Sequence, residues 1–317
     1  MSAPAFIRGL HNLRPAHRGC VATIGSFDGV HLGHQAILRQ LTEAAREHQQ
    51  PSVVMIFEPQ PHEFFGREQA PARLMRLREK IQALFAAGVD RVFCLQFNAK
   101  LRSLSAQAFI DQVLVEGLGV RHLVVGDDFR FGCDRRGDFA LLKAAGAEHG
   151  FSVTDTFTLA YAGERISSTR IREALEAADF DLAAQLLGRP YSISGRVGHG
   201  QRLGRQLGVP TANIQLRRHR SPLHGVYAVS ATLEDGRSLP GVANVGVRPT
   251  VQGGTKPLLE VHLLDVDEHL YGQRMTVVFH RKQRAEQRFA SVADLQAQLH
   301  RDIAEARRYF EQANLTT

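Results

Sequence analysis

No run of 18 or more apolar residues occurs in the 317-residue chain, so no segment reads as a membrane-spanning helix. The opening stretch, MSAPAFIRGLHNLRP, holds no apolar core of signal-peptide length. Cysteine is scarce: Cys20, Cys94 and Cys133 are widely spaced and odd in number. That argues against a disulfide framework and fits a reducing cytoplasm, the expected location. No Cys-x-x-Cys pair is present, which removes zinc ribbons and dithiol redox motifs. The one glycine-dense segment, GRVGHGQRLGRQLGVPTANI (195–214), is neither a Walker A loop nor a Gly-x-Gly-x-x-Gly turn. Internal repeats and low-complexity tracts are also missing.

Charge of one sign is in modest excess. Lys and Arg number 39 against 32 Asp and Glu, a net charge of +7. Such a balance suits anionic ligands. The excess is spread along the chain, and the densest basic run, RKQRAEQR (281–288), is interrupted by Glu286. With no nucleic-acid motif beside it, we expect small phosphorylated ligands rather than nucleic acid as partners.

The length favours two domains. In the first half, apolar runs at 20–25, 51–57, 91–97, 122–127 and 151–157 lack strict alternation, as strands buried on both faces should. Helical patterns lie between them. Leu74, Leu77, Ile81, Leu84 and Phe85 recur at spacings of three and four before Gly88, and LSAQAFIDQVLVEGLG (104–119) behaves likewise. Alternating strand and helix predicts a doubly wound parallel α/β sheet. A helix over 170–187 ends at Gly188-Arg189-Pro190, which sets expected domains at 1–187 and 188–317. Beyond it, short β-like runs at 191–197, 224–233, 240–247, 258–266 and 274–281 predict an antiparallel sandwich or barrel. A last amphipathic helix follows, opened by Ser291 and Asp294 and striped by Leu295, Leu299, Ile303 and Tyr309 or Phe310.

The chemistry concentrates at two places. IGSFDGVHLGHQAIL (24–38) turns a strand into a helix beginning near Leu32, where a parallel sheet binds ligands. Gly25, Gly29 and Gly33 permit close approach, and the helix N-terminus favours phosphate. His31 and His34 share one helix face and could stabilise charge on a leaving pyrophosphate. Taken alone, the pair could also hold a metal or cap the helix. Downstream, VVGDDFRFG (124–132) ends a strand with acids and phenylalanines, and RISSTRIREAL (165–175) opens a helix with hydroxyls and arginines. These three segments, in this order, resemble the H-x-G-H nucleotidyltransferases and among them the bacterial FAD synthetases. The resemblance implies transfer of AMP from ATP to FMN. His31 and His34 would be catalytic, with Gly25, Phe27, Asp28, Gly29, Asp128, Ser167, Ser168, Thr169 and Arg172 around ATP. Asp128 stands where relatives often carry Asn. FEPQPHEFF (57–65) resembles the family's flavin-side loop, which would place Pro59, Pro61 and Phe64, together with Phe131, near the flavin.

The second place is the glycine-dense segment with its PTAN ending, followed by NVGVRPTV (244–251) and LLEVHLLD (258–265). By residue type alone it is a flexible basic loop, with a hydroxyl at Thr211 and an amide at Asn213 that suit a magnesium-bound nucleotide. Glu260 sits within an apolar run and by pattern could equally point to solvent. Together these pieces resemble riboflavin kinase over roughly 190–310, with Val251 where relatives usually carry Phe. That resemblance implies a six-stranded antiparallel barrel with a terminal helix. Gly204, Arg205, Gly208, Thr211 and Asn213 would hold ATP and Mg2+, and Glu260 would act as base on the ribityl hydroxyl. Riboflavin, FMN, FAD, ATP and pyrophosphate are then the expected partners, with flavins as substrates and products. An H-x-G-H enzyme for another acceptor would carry neither the PTAN loop nor Glu260.

Overall fold

Four of the five apolar runs of the first half form the middle of a six-stranded sheet, and the fifth forms one edge. The computed structural model describes residues 4–66, 69–200, 204, 207–249, 255–266 and 268–313. Its first strands are β1 (Ala5–Arg8), β2 (Cys20–Ile24), β3 (Ser52–Glu58), β4 (Arg91–Gln96), β5 (Val120–Val124) and β6 (Ser152–Thr154). They stand in the order β1-β4-β3-β2-β5-β6, all parallel. All five residues of β2 are buried, which explains why the run does not alternate. The connections contain α1 (Leu32–Glu47), α2 (Pro61–Phe65), α3 (Leu77–Ala86), α4 (Ala99–Arg102), α5 (Ala106–Phe109) and α6 (Phe139–His149), and a two-stranded ribbon of β7 (Ala160–Tyr161) and β8 (Glu164–Arg165) follows the sheet. Residues Ile110–Leu118 continue α5 with a wider π winding. Chain direction across the sheet reverses between β2 and β5. A doubly wound sheet opens its ligand crevice there, and the turns after β2 and β5 carry GSFDG and GDDFRF.

The chain divides into two compact units, Met1–Pro71 with Leu77–Ser167, and Ala72–Arg76 with Ser168–Thr317. The second unit begins with α7 (Ser168–Glu176) and α8 (Phe180–Leu187) and continues into a closed barrel. Its strands are β9 (Ser192–Gly198), β10 (Ala212–Gln215), β11 (Gly225–Thr232), β12 (Ser238–Pro249), β13 (Thr255–Leu263) and β14 (Arg274–Arg284). Around the barrel the order is β10-β13-β12-β11-β14-β9, antiparallel throughout. Helix α9 (Val292–Gln312) lies against it, with Ala306 and Phe310 packed on Val226, Ala228 and Val242. The Ser291 hydroxyl accepts from the Asp294 amide at 3.1 Å and donates to the Asp294 carboxylate at 2.7 Å. That caps the helix as expected, although the carboxylate takes the Ser291 hydroxyl proton instead of its backbone N–H.

Three local expectations are corrected. The helix expected over 170–187 is two helices, because Ala178 adopts φ 59° and the Asp179 side chain caps α8 by accepting from the Leu182 amide at 2.9 Å. A short polar side chain that satisfies an orphan N–H starts a new helix more cheaply than it continues an old one. The helix expected from Leu74 starts at Leu77; the Leu74 carbonyl is instead taken by the Tyr191 hydroxyl at 3.3 Å, and the Arg73 carbonyl by Arg218 at 2.8 Å. Finally, β1 and β10 fall outside the expected runs. Each has only four residues, too few for a periodic pattern.

Candidate functional site

The turn after β2 is unusually tight. Phe27, Gly29 and Val30 all have positive φ, at 47°, 87° and 41°. Lys80, 1% exposed, reaches in from α3 and donates to the Ser26 carbonyl at 2.6 Å. Asp28 is buried at 2% exposure. The turn delivers His31 to the N-cap of α1, where its Nδ1 accepts from the His34 amide at 3.2 Å. An accepting Nδ1 puts the proton of a neutral ring on Nε2. The two imidazoles stack at 3.6 Å between centroids, and Phe27 flanks His34 at 4.9 Å. Burial first, then electrostatic repulsion from His31, Lys80 and Arg165, holds His34 well below the ordinary imidazole range. His34 is therefore neutral at pH 7. Its Nδ1 is buried with no hydrogen-bond partner among the described residues. Gly33 is required for this packing: a Cβ there would lie 3.2 Å from the His31 ring and 3.3 Å from the Ile166 carbonyl. Ser167 directly follows Ile166 in the chain.

The other expected residues of this half fall as follows. Gly25 lies against Phe27, which a Cβ would meet at 3.0 Å. Asp128 is exposed and paired with Arg165 at 3.1 Å. Phe131 is buried in the sheet core against Phe109 and Phe129, so its ring is committed to packing. Pro59 follows Glu58 through a cis peptide bond, and Pro61 opens α2. Phe64 joins Phe65 and Phe97 in an edge-to-face cluster, with the Arg102 guanidinium 5.2 Å above Phe65. Phe65 is 62% exposed, so this cluster is open to solvent. Ser168 and Thr169 form the first turn of α7, and Arg172 donates from Nε to the Ala72 carbonyl at 2.6 Å.

In the second unit, one cavity of about 320 Å³ gathers the expected kinase residues. It is lined by Gly204, Thr211, Asn213 and Glu260, within the size range of about 300–1,000 Å³ usual for small-molecule sites. The placement follows from barrel register. Asn213 on β10 pairs with Glu260 on β13, and Glu260 pairs with Asn244 on β12. Residues directly opposite across antiparallel strands share a face, so three polar side chains form one row. Alternation does the rest: Leu259, Val261 and Leu263 are buried, while Glu260 and His262 line the cavity. The Asn213 amide donates to the Thr211 carbonyl at 3.2 Å, and Asn244 donates to Glu286 at 3.2 Å. With both nitrogens anchored, each Oδ1 is left buried and without a hydrogen-bond partner among the described residues. The lining also has an apolar set, Phe289 with Leu295, Leu299 and Ile303 of α9, beside Arg284, Glu286, Gln287 and Asp302. Arg284 clamps α9 through Asp302, with contacts of 2.7, 3.0 and 3.2 Å, and Gln298 adds one of 2.8 Å. Gly208, with φ 76°, turns the loop before Thr211. Arg205 and Val251 lie outside the described residues.

Sequence reasoning missed Lys80, Asn244, His262, Arg284 and Asp302. Asn244 and His262 stood within the quoted NVGVRPTV and LLEVHLLD segments, and only register reveals that they share a face with Glu260.

Comparisons with known proteins follow the same division. A family model described as FAD synthetase matches residues 13–170, and one described as riboflavin kinase matches residues 187–310. The bifunctional riboflavin kinase/FMN adenylyltransferase of Pseudomonas fluorescens is 62% identical over 95% of this chain and 96% of its own length. The protein of the same name from Escherichia coli K12 is 54% identical over 96% of this chain and 97% of its own. A crystal structure titled as a macrolide-efflux protein from Streptococcus pneumoniae has a TM-score of 0.76 and 30% identity, covering 94% of this chain and 97% of that one. No described helix of the present chain is long and apolar enough to cross a membrane. Two family models in tandem, and relatives matched over 96% and 97% of their length, lead to one conclusion: the chain belongs to the bifunctional riboflavin kinase/FMN adenylyltransferases.

Proposed function

We propose that the cavity beneath α9 is the riboflavin kinase site and the histidine turn after β2 the FMN adenylyltransferase site, with the functional boundary between residues 187 and 188. The chain phosphorylates riboflavin with ATP to FMN, then adenylylates FMN with ATP to give FAD and pyrophosphate. The observation that carries the kinase assignment is the row Asn213–Glu260–Asn244 in one cavity with Phe289, Leu295, Leu299 and Ile303. A polar row suits a polyol chain, and apolar side chains suit a flat aromatic head. The primary hydroxyl of the ribityl chain attacks the γ-phosphorus, the bond to ADP breaks, and Glu260 takes the hydroxyl proton. An alcohol is hard to ionise, so a carboxylate within reach accelerates the step. Thr211 and Asn213 offer hard oxygens, and the buried, partnerless Asn213 Oδ1 fits Mg2+ carried on ATP. When bound, that ion would neutralise charge on the transferring phosphoryl group. Gly204, Arg205 and Gly208 belong to the nucleotide loop.

In the first unit no base is needed. An FMN phosphate near pH 7 is already ionised; its oxygen attacks the α-phosphorus, and pyrophosphate leaves. His31 and His34 position the phosphates and stabilise the charge that develops. A neutral His34 with an unpartnered nitrogen supports a role by hydrogen bonding rather than by fixed charge. Gly25, Phe27, Asp28, Gly29, Asp128, Ser167, Ser168, Thr169 and Arg172 serve ATP, and the Pro59–Phe64 segment serves the flavin. A cytoplasmic location and small-molecule rather than nucleic-acid partners complete the reading, supported by dispersed charge and reduced-type cysteine usage. One reaction tests it: purified protein, riboflavin, ATP and magnesium, with flavins separated by chromatography over time. FMN first and FAD later is the expected result; no conversion of either flavin would sink the reading.

A further inference from the structure

We propose that His262 is a positioning residue of the kinase site: its Nδ1–H holds the Pro210 carbonyl and so fixes Thr211 and Asn213 beside Glu260. The inference rests on the kinase reading of the cavity. His262 stands two residues beyond Glu260 on β13, and both line the cavity, as side chains on one face of a strand do. Its Nδ1 lies 2.8 Å from the Pro210 oxygen. A carbonyl oxygen only accepts, so Nδ1 carries the proton and the tautomer is set by this bond. Proline has no N–H, so its carbonyl is the main-chain group by which this position can be tied down. Pro210 directly precedes Thr211, and the Asn213 amide donates back to the Thr211 carbonyl at 3.2 Å. Asn213 in turn pairs with Glu260 in the barrel register. The chain from His262 through Pro210, Thr211 and Asn213 to Glu260 therefore closes on the strand where it began.

The rest of the loop is held differently. The Val209 amide donates to the Gly204 carbonyl at 2.8 Å, and Gln296 of α9 donates to the Leu207 carbonyl at 3.3 Å. Those bonds secure the loop to itself and to the helix. The His262 bond joins its end to the sheet that carries the base. A contact of this kind sets the precision of the groups that act on the substrates.

The test compares His262→Leu, which keeps bulk without a donor, with His262→Asn, whose amide N–H sits where the ring Nδ1–H was. Two quantities are read. The first is riboflavin kinase kinetics, with KM for MgATP separated from kcat and from KM for riboflavin. The second is hydrogen exchange across residues 207–212 in the nucleotide-free protein. We expect His262→Leu to raise KM for MgATP about tenfold or more, the usual scale for losing an outer positioning contact. Exchange in that segment should speed up, while FMN adenylylation stays unchanged. His262→Asn should restore both quantities. Wild-type KM and exchange in the leucine variant, or an asparagine variant no better than leucine, would overturn the proposal. If leucine also exposes β11 and β14 to exchange, the barrel has loosened and the asparagine variant alone decides. Should the wild-type protein make no FMN, the kinase reading fails, and the exchange comparison still shows whether His262 holds the loop.

Discussion

Gly33→Ala sets a small stabilising effect against a positional one. In a helix, alanine is favoured over glycine by up to about 1 kcal/mol. At Gly33 the added Cβ would lie 3.2 Å from the His31 ring and 3.3 Å from the Ile166 carbonyl. Ordinary carbon contacts are about 3.5–4.0 Å, so something must yield by a few tenths of an ångström. Ile166 is 4% exposed and its amide is bonded to the Leu159 carbonyl at 3.0 Å, so the backbone there is fixed. His31 caps α1 and stacks on His34, yet it is a side chain and yields first. Overpacking costs about 1–3 kcal/mol, which matches or exceeds the helical gain. The net loss of stability should therefore be no more than about 2 kcal/mol. Catalysis should not be spared: about 1.4 kcal/mol of lost transition-state stabilisation is tenfold in rate, and a displacement of about 1 Å costs about 100-fold. We expect FAD formation from FMN to fall about 10- to 100-fold in kcat/KM while FMN formation from riboflavin is unchanged. The assay is initial rates of both half-reactions with purified variant. Wild-type FAD formation would refute the placing of His31 as a reacting-site group whose position Gly33 protects.

Glu260→Gln removes the proton acceptor but keeps the shape; riboflavin phosphorylation should drop about 100- to 10,000-fold, with FAD still formed from supplied FMN. Loss of both activities in a folded variant would contradict the two-site division. Asp302→Ala leaves the Arg284 guanidinium, only 20% exposed, without its partner. Breaking a buried pair costs about 3–5 kcal/mol, so urea denaturation followed in the barrel should show a loss of that size; less than about 1 kcal/mol, as for a surface pair, would mean the clamp is not structural. His34 supplies a pH test. Burial depresses its folded pKa below the ordinary 6.5, so beneath that value the unfolded chain binds the extra proton. Stability contributed by a neutral His34 is full above pH 6.5 and declines as pH falls below it. Replacing His34 by Gln should flatten the fall in thermal midpoint between neutral and mildly acidic buffer; an identical fall would show that His34 does not titrate on unfolding.

The legible parts of the sequence were those whose signal is local. A strand buried on both faces announces itself as an unbroken apolar run, and β2 did. A turn that needs glycines and ends in a helix cap is written within a dozen residues, and residues 24–38 contain all of it. Helix α9 showed its stripe and its capping serine. What stayed hidden was set by partners distant in sequence. The break between α7 and α8 depends on the φ of Ala178, which an alanine does not advertise. Leu74 looks like the first rung of a helix because its spacing is right, but its carbonyl bonds to a tyrosine far along the chain. Strand β10 is too short for a pattern, and it lies in a segment whose glycines and arginines read as loop. Phe131 matched a ligand-facing motif, while its ring packs in the core.

The same distinction explains why Glu260 was ambiguous by its pattern. A carboxylate in a strand points either to solvent or to a site, and alternation gives both answers the same pattern. Only the neighbours decide. Asn213 and Asn244 stand on either side of Glu260 in register, each with its amide nitrogen already spent on a protein acceptor. Their oxygens remain buried without a partner among the described residues, a state that a folded protein tolerates only where it gains something else. A solvated outward acid would have no such flank. The partnerless amide oxygens, more than the acid itself, mark this stretch of barrel as a place where a ligand completes the hydrogen bonding. A variant with both amides replaced by leucine should therefore be no less stable than wild type when free of ligand. It should fail to gain the stability that MgATP and riboflavin confer on the wild-type barrel by binding its folded state alone. Equal ligand stabilisation of variant and wild type would remove the row from the site.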